Sequence, residues 1–217
     1  MATVYTERDV ARVEAAGSLV EAAGGIAVVI LSIIALTRAA PGILSSISVI
    51  ILGAALLAEG GTIATEFSRL YSMAAGGVSA SLAGGGMMTE VFVGATVLVL
   101  GVLAILGVGT GTLVPVAVIA TGGMMLITAA GTQRLNEVRV QTSTGVPEPA
   151  QSLAIVAGRS AAGFQSLAAV AAIVLGIIAL TEGATPVPAQ VALLILGAAV
   201  AISGTAVTGS VMRLISR

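Results

Sequence analysis

Three acids stand inside or at the edge of long apolar stretches: Glu21, Glu59 and Glu90. A charge at mid-bilayer costs about 2.5–3.5 kcal/mol even on a lenient insertion scale, so such acids are candidate sites for a proton or a cation. Each lies within about a turn of the same end of its apolar stretch, which places all three in one layer. One reading leaves them hydrated at the interface or paired with Arg12, Arg69 or Arg134, whose long stems can reach that layer. The other makes them a proton- or cation-responsive cluster. Like charges buried together repel, and acid would then be the trigger.

The remaining chemistry is sparse. The sequence has no Cys, His, Lys or Trp, which removes disulfides, thiolate nucleophiles, haem ligands, zinc fingers and a histidine base. Serines such as Ser203 therefore have no His or Lys base beside them, and no enzyme is expected. Met87-Met88 and Met124-Met125 suit packing and give no metal geometry, so neither a metal nor a cofactor is expected. Gly84-Gly85-Gly86 has no strand before it and no Lys-Ser/Thr after it, unlike a phosphate-binding loop. All nine cations are Arg and the net charge is −1, which gives nucleic acid no basic surface.

The composition dictates what positions these residues. Hydrophobic residues make up 57% of the 217, a further 28 are glycine, and only 9% are charged. A soluble domain carries about 25% charge, so lipid must be the solvent for most of this chain. Six stretches approach the ~20 apolar residues of a membrane-spanning helix. They are Ser18–Thr37, Gly42–Thr62, Val91–Gly107, Thr112–Thr132, Gln165–Thr181 and Ala189–Val207. They lack the alternation of a membrane β-barrel, so the expected fold is all-α, a polytopic bundle of six spans. Short links near Pro41, Gly109 and Pro188 alternate with longer ones, Ile63–Glu90 and Gln133–Phe164. The chain thus divides into three hairpins, residues 1–70, 71–142 and 143–217, forming one membrane domain.

Eight of the nine arginines fall on the side of the termini and long links, and only Arg38 on the side of the short turns. The positive-inside rule then predicts cytoplasmic termini. The aromatics Tyr5, Phe67, Tyr71, Phe92 and Phe164 all lie on or near that same half. Glu7, Arg8, Asp9, Arg12 and Glu14 make a mixed-charge segment before the first span, unlike a cleaved signal peptide. Helical spacing of Val10, Val13, Gly17 and Val20, and of Leu153, Val156, Ser160, Phe164 and Leu167, predicts that spans one and five begin as helices outside the bilayer. Ser143 to Glu148 reads as a loop, and Ala74–Gly86 as either frayed helix or flexible link.

The hairpins are copies of one another. Shifts of 69 and 144 residues superpose the first on the second and third, and Leu31–Thr37 matches Leu175–Thr181 in six of seven residues. Glu21 and Glu90 share a position where the third copy has Gln165, and Glu59 corresponds to Thr128 and Ser203. Small residues match as well. In the first helix Gly25, Gly94 and Ala169 correspond, then Ser32, Gly101 and Gly176. In the second helix Gly53, Gly122 and Gly197 correspond, then Gly60, Ala129 and Gly204. Lipid supplies no hydrophobic drive between helices, so close contact at small residues must hold them together. The seven-residue spacing keeps them on one seam, either within one chain or also between subunits.

The pattern Leu175-Gly176-Ile177-Ile178-Ala179-Leu180, a turn with Pro186, then Gly197 and Gly204, resembles the HdeD-type acid-resistance membrane proteins. Hairpin one repeats it with Pro41, Gly53 and Gly60. The resemblance implies a multi-pass protein of the bacterial inner membrane linked to acid or envelope stress, and supplies no catalytic residues. The expected function is accordingly non-enzymatic: a structural or stress role through tight packing, with membrane lipids and further copies of the chain as partners. A proton or small-solute transporter using the acidic layer is the alternative. A rotor-ring protein would need a carboxylate in every hairpin, which Thr128 and Ser203 do not provide.

Overall fold

A computed structural model places the chain in six α-helices: α1 Glu7–Leu36, α2 Pro41–Met73, α3 Ala80–Ile105, α4 Thr110–Thr142, α5 Pro149–Glu182 and α6 Val187–Ile215. It describes the backbone of residues 7–73, 80–142, 149–183 and 186–215, and side-chain surroundings for 17–58, 90–129, 163–183 and 186–205. No strand occurs among the described residues. Helices start where the sequence favours a start. Pro41 opens α2 and Pro149 opens α5, where a missing N–H costs no helical bond, and Pro188 is the second residue of α6.

The helices outrun the apolar stretches. The links read as Ile63–Glu90 and Gln133–Phe164 are largely helix: α2 continues to Met73, α3 begins at Ala80, α4 continues to Thr142 and α5 begins at Pro149. Helical polar segments can leave the bilayer with every backbone group still satisfied. Residues 74–79 and the expected loop Ser143–Glu148 lie outside the described residues. Five helices are long and apolar enough to cross a membrane: Gly17–Leu36, Pro41–Ala58, Thr110–Ala129, Gly163–Glu182 and Val187–Thr205. The sixth expected span is shorter, with a described apolar stretch Glu90–Ile105. It belongs to the 26-residue helix α3, about 39 Å long at 1.5 Å per residue.

The six helices close into a ring. Each packs on its neighbours in the chain and α6 packs on α1, while α2, α4 and α6 also touch one another. The second helix of each hairpin is therefore inside, and α1, α3 and α5 form an outer set. Outward residues at matching repeat positions have matching exposure: Ile30 52%, Val99 53% and Val174 49%. The middle is filled by equally matched layers. Val49, Val118 and Leu193 make one, Leu52, Thr121 and Leu196 the next, and Leu56, Met125 and Val200 a third, all at most 1% exposed. Met124 and Met125 are buried in this core, where a flexible thioether fills irregular space.

The small-residue seams lie between successive hairpins. A Cβ built on Gly53 (α2) would meet the Gly94 (α3) carbonyl oxygen at 2.9 Å, and one on Gly197 (α6) would meet that of Gly25 (α1) at 2.9 Å. On the third seam, a Cβ on Gly122 (α4) would meet the Ala169 (α5) oxygen at 2.9 Å. The second row is similar. A Cβ on Gly101 would meet Ile50 at 2.7 Å, one on Gly176 would meet Ile119 at 2.6 Å, and one on Gly204 the Ser18 oxygen at 2.6 Å. The surroundings of Gly60 lie outside the described residues. These seams are internal to one chain.

Candidate functional site

Glu21 on α1 and Glu90 on α3 are 3% and 5% exposed, as buried as the aliphatic core. Both point inward because α1 and α3 offer lipid their Ile, Val and Leu faces and turn the opposite face to the inner helices. Their partners are hydroxyls. Ser203 of α6 donates to the Glu21 carboxylate. Thr128 Oγ1 of α4 donates to Glu90 Oε1 at 3.2 Å and also lies 3.2 Å from the Met124 carbonyl oxygen. Two helices on each side thus hold one carboxyl each, and the two carboxyls are close enough to repel.

The pair is incompletely satisfied. Glu90 Oε2 is buried and has no hydrogen-bond partner. A buried charged oxygen without a partner costs more than the net gain of a typical hydrogen bond, so this oxygen is a place for a proton or a cation. Each acid with its hydroxyl offers only oxygen donors, which suit a proton or a hard cation and not a soft transition metal. No group of three His, Cys, Asp or Glu that could hold a metal ion occurs among the described residues.

The three candidate acids fare differently. Glu21 and Glu90 are both buried and within electrostatic reach of each other, and Glu59 lies on α2 with its side chain outside the described residues. Thr128 and Ser203, the residues matched to Glu59 by the repeat, are the ones that hold the other two acids. The repeat gave them an address in the sequence, but pairing across α3–α4 and α1–α6 required the closed ring. Further polar atoms escaped the sequence reading. Ser32 Oγ, Ser45 Oγ and Gln190 Nε2 are all buried without partners. Their only signal was a polar letter in an apolar helix.

No family model, no curated protein and no solved structure matches the chain. The described residues establish an all-helical bundle, five of whose helices can cross a membrane, with a carboxyl pair buried among them.

Proposed function

We propose that this chain is a non-enzymatic multi-pass membrane protein whose working group is the Glu21–Glu90 pair, a site that takes up and releases a proton or a small cation. The observation that carries this reading is Glu90 Oε2, buried, unpartnered and within electrostatic reach of a second buried carboxyl. The resemblance to HdeD-type proteins gives that chemistry a setting in the bacterial inner membrane, in an acid- or envelope-stress role. The distribution of arginines favours cytoplasmic termini, which puts the pair on the cytoplasmic half. The test is infrared titration of the full chain in lipid nanodiscs, from neutral to acid and with sodium added. A carboxyl band that responds to acid or to sodium is expected, and the E21Q/E90Q double variant should lose it. A double variant with the wild-type titration would refute the assignment.

A transport role is the second reading. It is favoured by buried polar groups at both ends of the bundle, Glu21 and Glu90 at the termini end and Ser45, Ser46 and Gln190 at the short-turn end. The filled layers from Val49 to Val200 lie between them, so passage requires those layers to part. Cation or proton flux into liposomes, at least tenfold slower in E21Q/E90Q, would support transport. Flux unchanged by the double substitution would remove the pair from any such path.

A further inference from the structure

At the end of the bundle opposite the carboxyl pair, the first turns of α2, α4 and α6 surround a cavity of about 220 Å³. Matching residues of the three copies line it: Gly42, Gly111 and Pro186, then deeper Ser45, Val114 and Ala189. Ala179 and Gly183 from the end of α5 complete the lining without counterparts from the other copies, so the cavity leans toward α4 and α5. Val49, Val118 and Leu193, four residues further along the inner helices than Ser45, Val114 and Ala189, are fully buried.

Three positive helix poles face one negative pole there, the C-terminal end of α5 at Ala179 and Gly183. Three helix N-termini converge there, each carrying about half a positive charge from its peptide dipoles. None of the three has an acidic residue in its first turn. The helical bonds open with Leu44 N–H to Ala40, Leu113 N–H to Gly109 and Gln190 N–H to Pro186. The N–H groups of Gly42, Gly111 and Ala189, just before them, have no acceptor within their helices. The opposite poles, the C-termini of the outer helices, are covered by their own turns. Thr37 Oγ1 donates to the Ile34 oxygen, Thr181 Oγ1 to that of Ile178 and Thr110 Oγ1 to that of Ala104.

A side chain gives the independent sign of a ligand. Ser45 lines the cavity and is 4% exposed, and its hydroxyl is buried without a partner. Its neighbours on α2 behave otherwise: Ser46 and Ser48 donate back to the Gly42 and Leu44 carbonyl oxygens at 2.9 Å. A helical serine that forgoes this local bond at a positive pole is a free donor for an anion.

We propose that this cavity binds a small monovalent inorganic anion of the halide or nitrate class, held by the first-turn N–H groups of the inner helices and by the Ser45 hydroxyl. No arginine lines the cavity, so a multivalent oxyanion such as phosphate or sulfate finds no full charge to compensate it. The site is separate from the carboxyl pair and does not depend on its role.

The test uses the full chain in lipid nanodiscs in sodium gluconate, with sodium bromide replacing gluconate at constant ionic strength. Bromide should raise the thermal midpoint saturably, whereas sulfate should not. S45A should weaken the apparent bromide affinity at least fivefold, and S46A, which loses only a local bond to Gly42, should leave it unchanged. Anomalous diffraction from bromide-grown crystals of the unaltered protein should place the ion among Gly42, Ser45 and Gly111. Equal midpoints in bromide and gluconate, equal bromide response in S45A, or bromide found only elsewhere would each overturn the proposal.

Discussion

Two adjacent glycines show how finely the bundle is specified at the level of single residues. A Cβ on Gly122 would meet the Ala169 carbonyl oxygen and Ile173 Cγ1 at 2.9 Å, while one on Gly123 would meet nothing within 4 Å. G122A must therefore push α4 from α5 and should destabilise the bundle by about 1–3 kcal/mol, the usual scale of overpacking. G123A should instead stabilise by about 0.5–1 kcal/mol, since alanine gives up less backbone freedom in a helix. Thermal or denaturant unfolding in detergent micelles checks both signs. The acids make a second case. Glu90 Oε2 is unpartnered and the Glu21 carboxyl repels its charge, so E90Q removes a buried like charge. The Thr128 bond can be kept by the amide oxygen. E90Q should thus raise stability at neutral pH by about 1 kcal/mol, since a neutral amide costs less to bury than a carboxylate. A lower midpoint in E90Q would show that the pair is held by a bound cation or a shared proton that glutamine cannot replace.

The helices themselves were largely readable, because a long apolar run in lipid can satisfy its backbone in no other way. Their ends were less so. The polar continuations of α2 and α4 look like links by hydropathy and are helical by local propensity rather than by lipid, whereas the helical spacing of Leu153 to Leu167 already marked the early start of α5. The turns carry their own strain. Arg38 and Ala40 have φ of 67° and 43°, whereas Gly107 and Gly109 at the matching positions of the second copy have 84° and 60°. A left-handed conformation costs a side-chain-bearing residue about 1–2 kcal/mol, so A40G should stabilise the α1–α2 turn by about 1 kcal/mol in the same unfolding assay. Helix α3 has the shortest described apolar stretch of the six, Glu90–Ile105. If α3 crosses the bilayer, single cysteines placed by V108C and S79C should label from opposite sides of sealed vesicles. Labelling from one side would leave five crossings.

For the whole molecule, the closed ring changes what the small residues mean. Gly25, Gly53, Gly94, Gly122 and Gly197 are spent on seams between hairpins of one chain, and α6 completes the circle against α1. Association between copies would have to use the outer aliphatic faces, such as Ile30, Val99 and Val174, where lipid competes equally well. V99A should accordingly leave the assembly state seen by native mass spectrometry unchanged. G53A, which wedges α2 from α3, should lower the unfolding midpoint.

Composition alone settled that lipid surrounds the chain, because 9% charge cannot cover a water-exposed surface. Internal duplication marked which glycines and which acids occupy matching places, since copies of one hairpin must repeat their contacts. Neither could say which helix faces which. That Glu21 meets Ser203, and that three helix N-termini converge near Ser45, follows from residues far apart in sequence being brought together. Ring closure does this, and it is a property of packing geometry that no single stretch of the sequence contains.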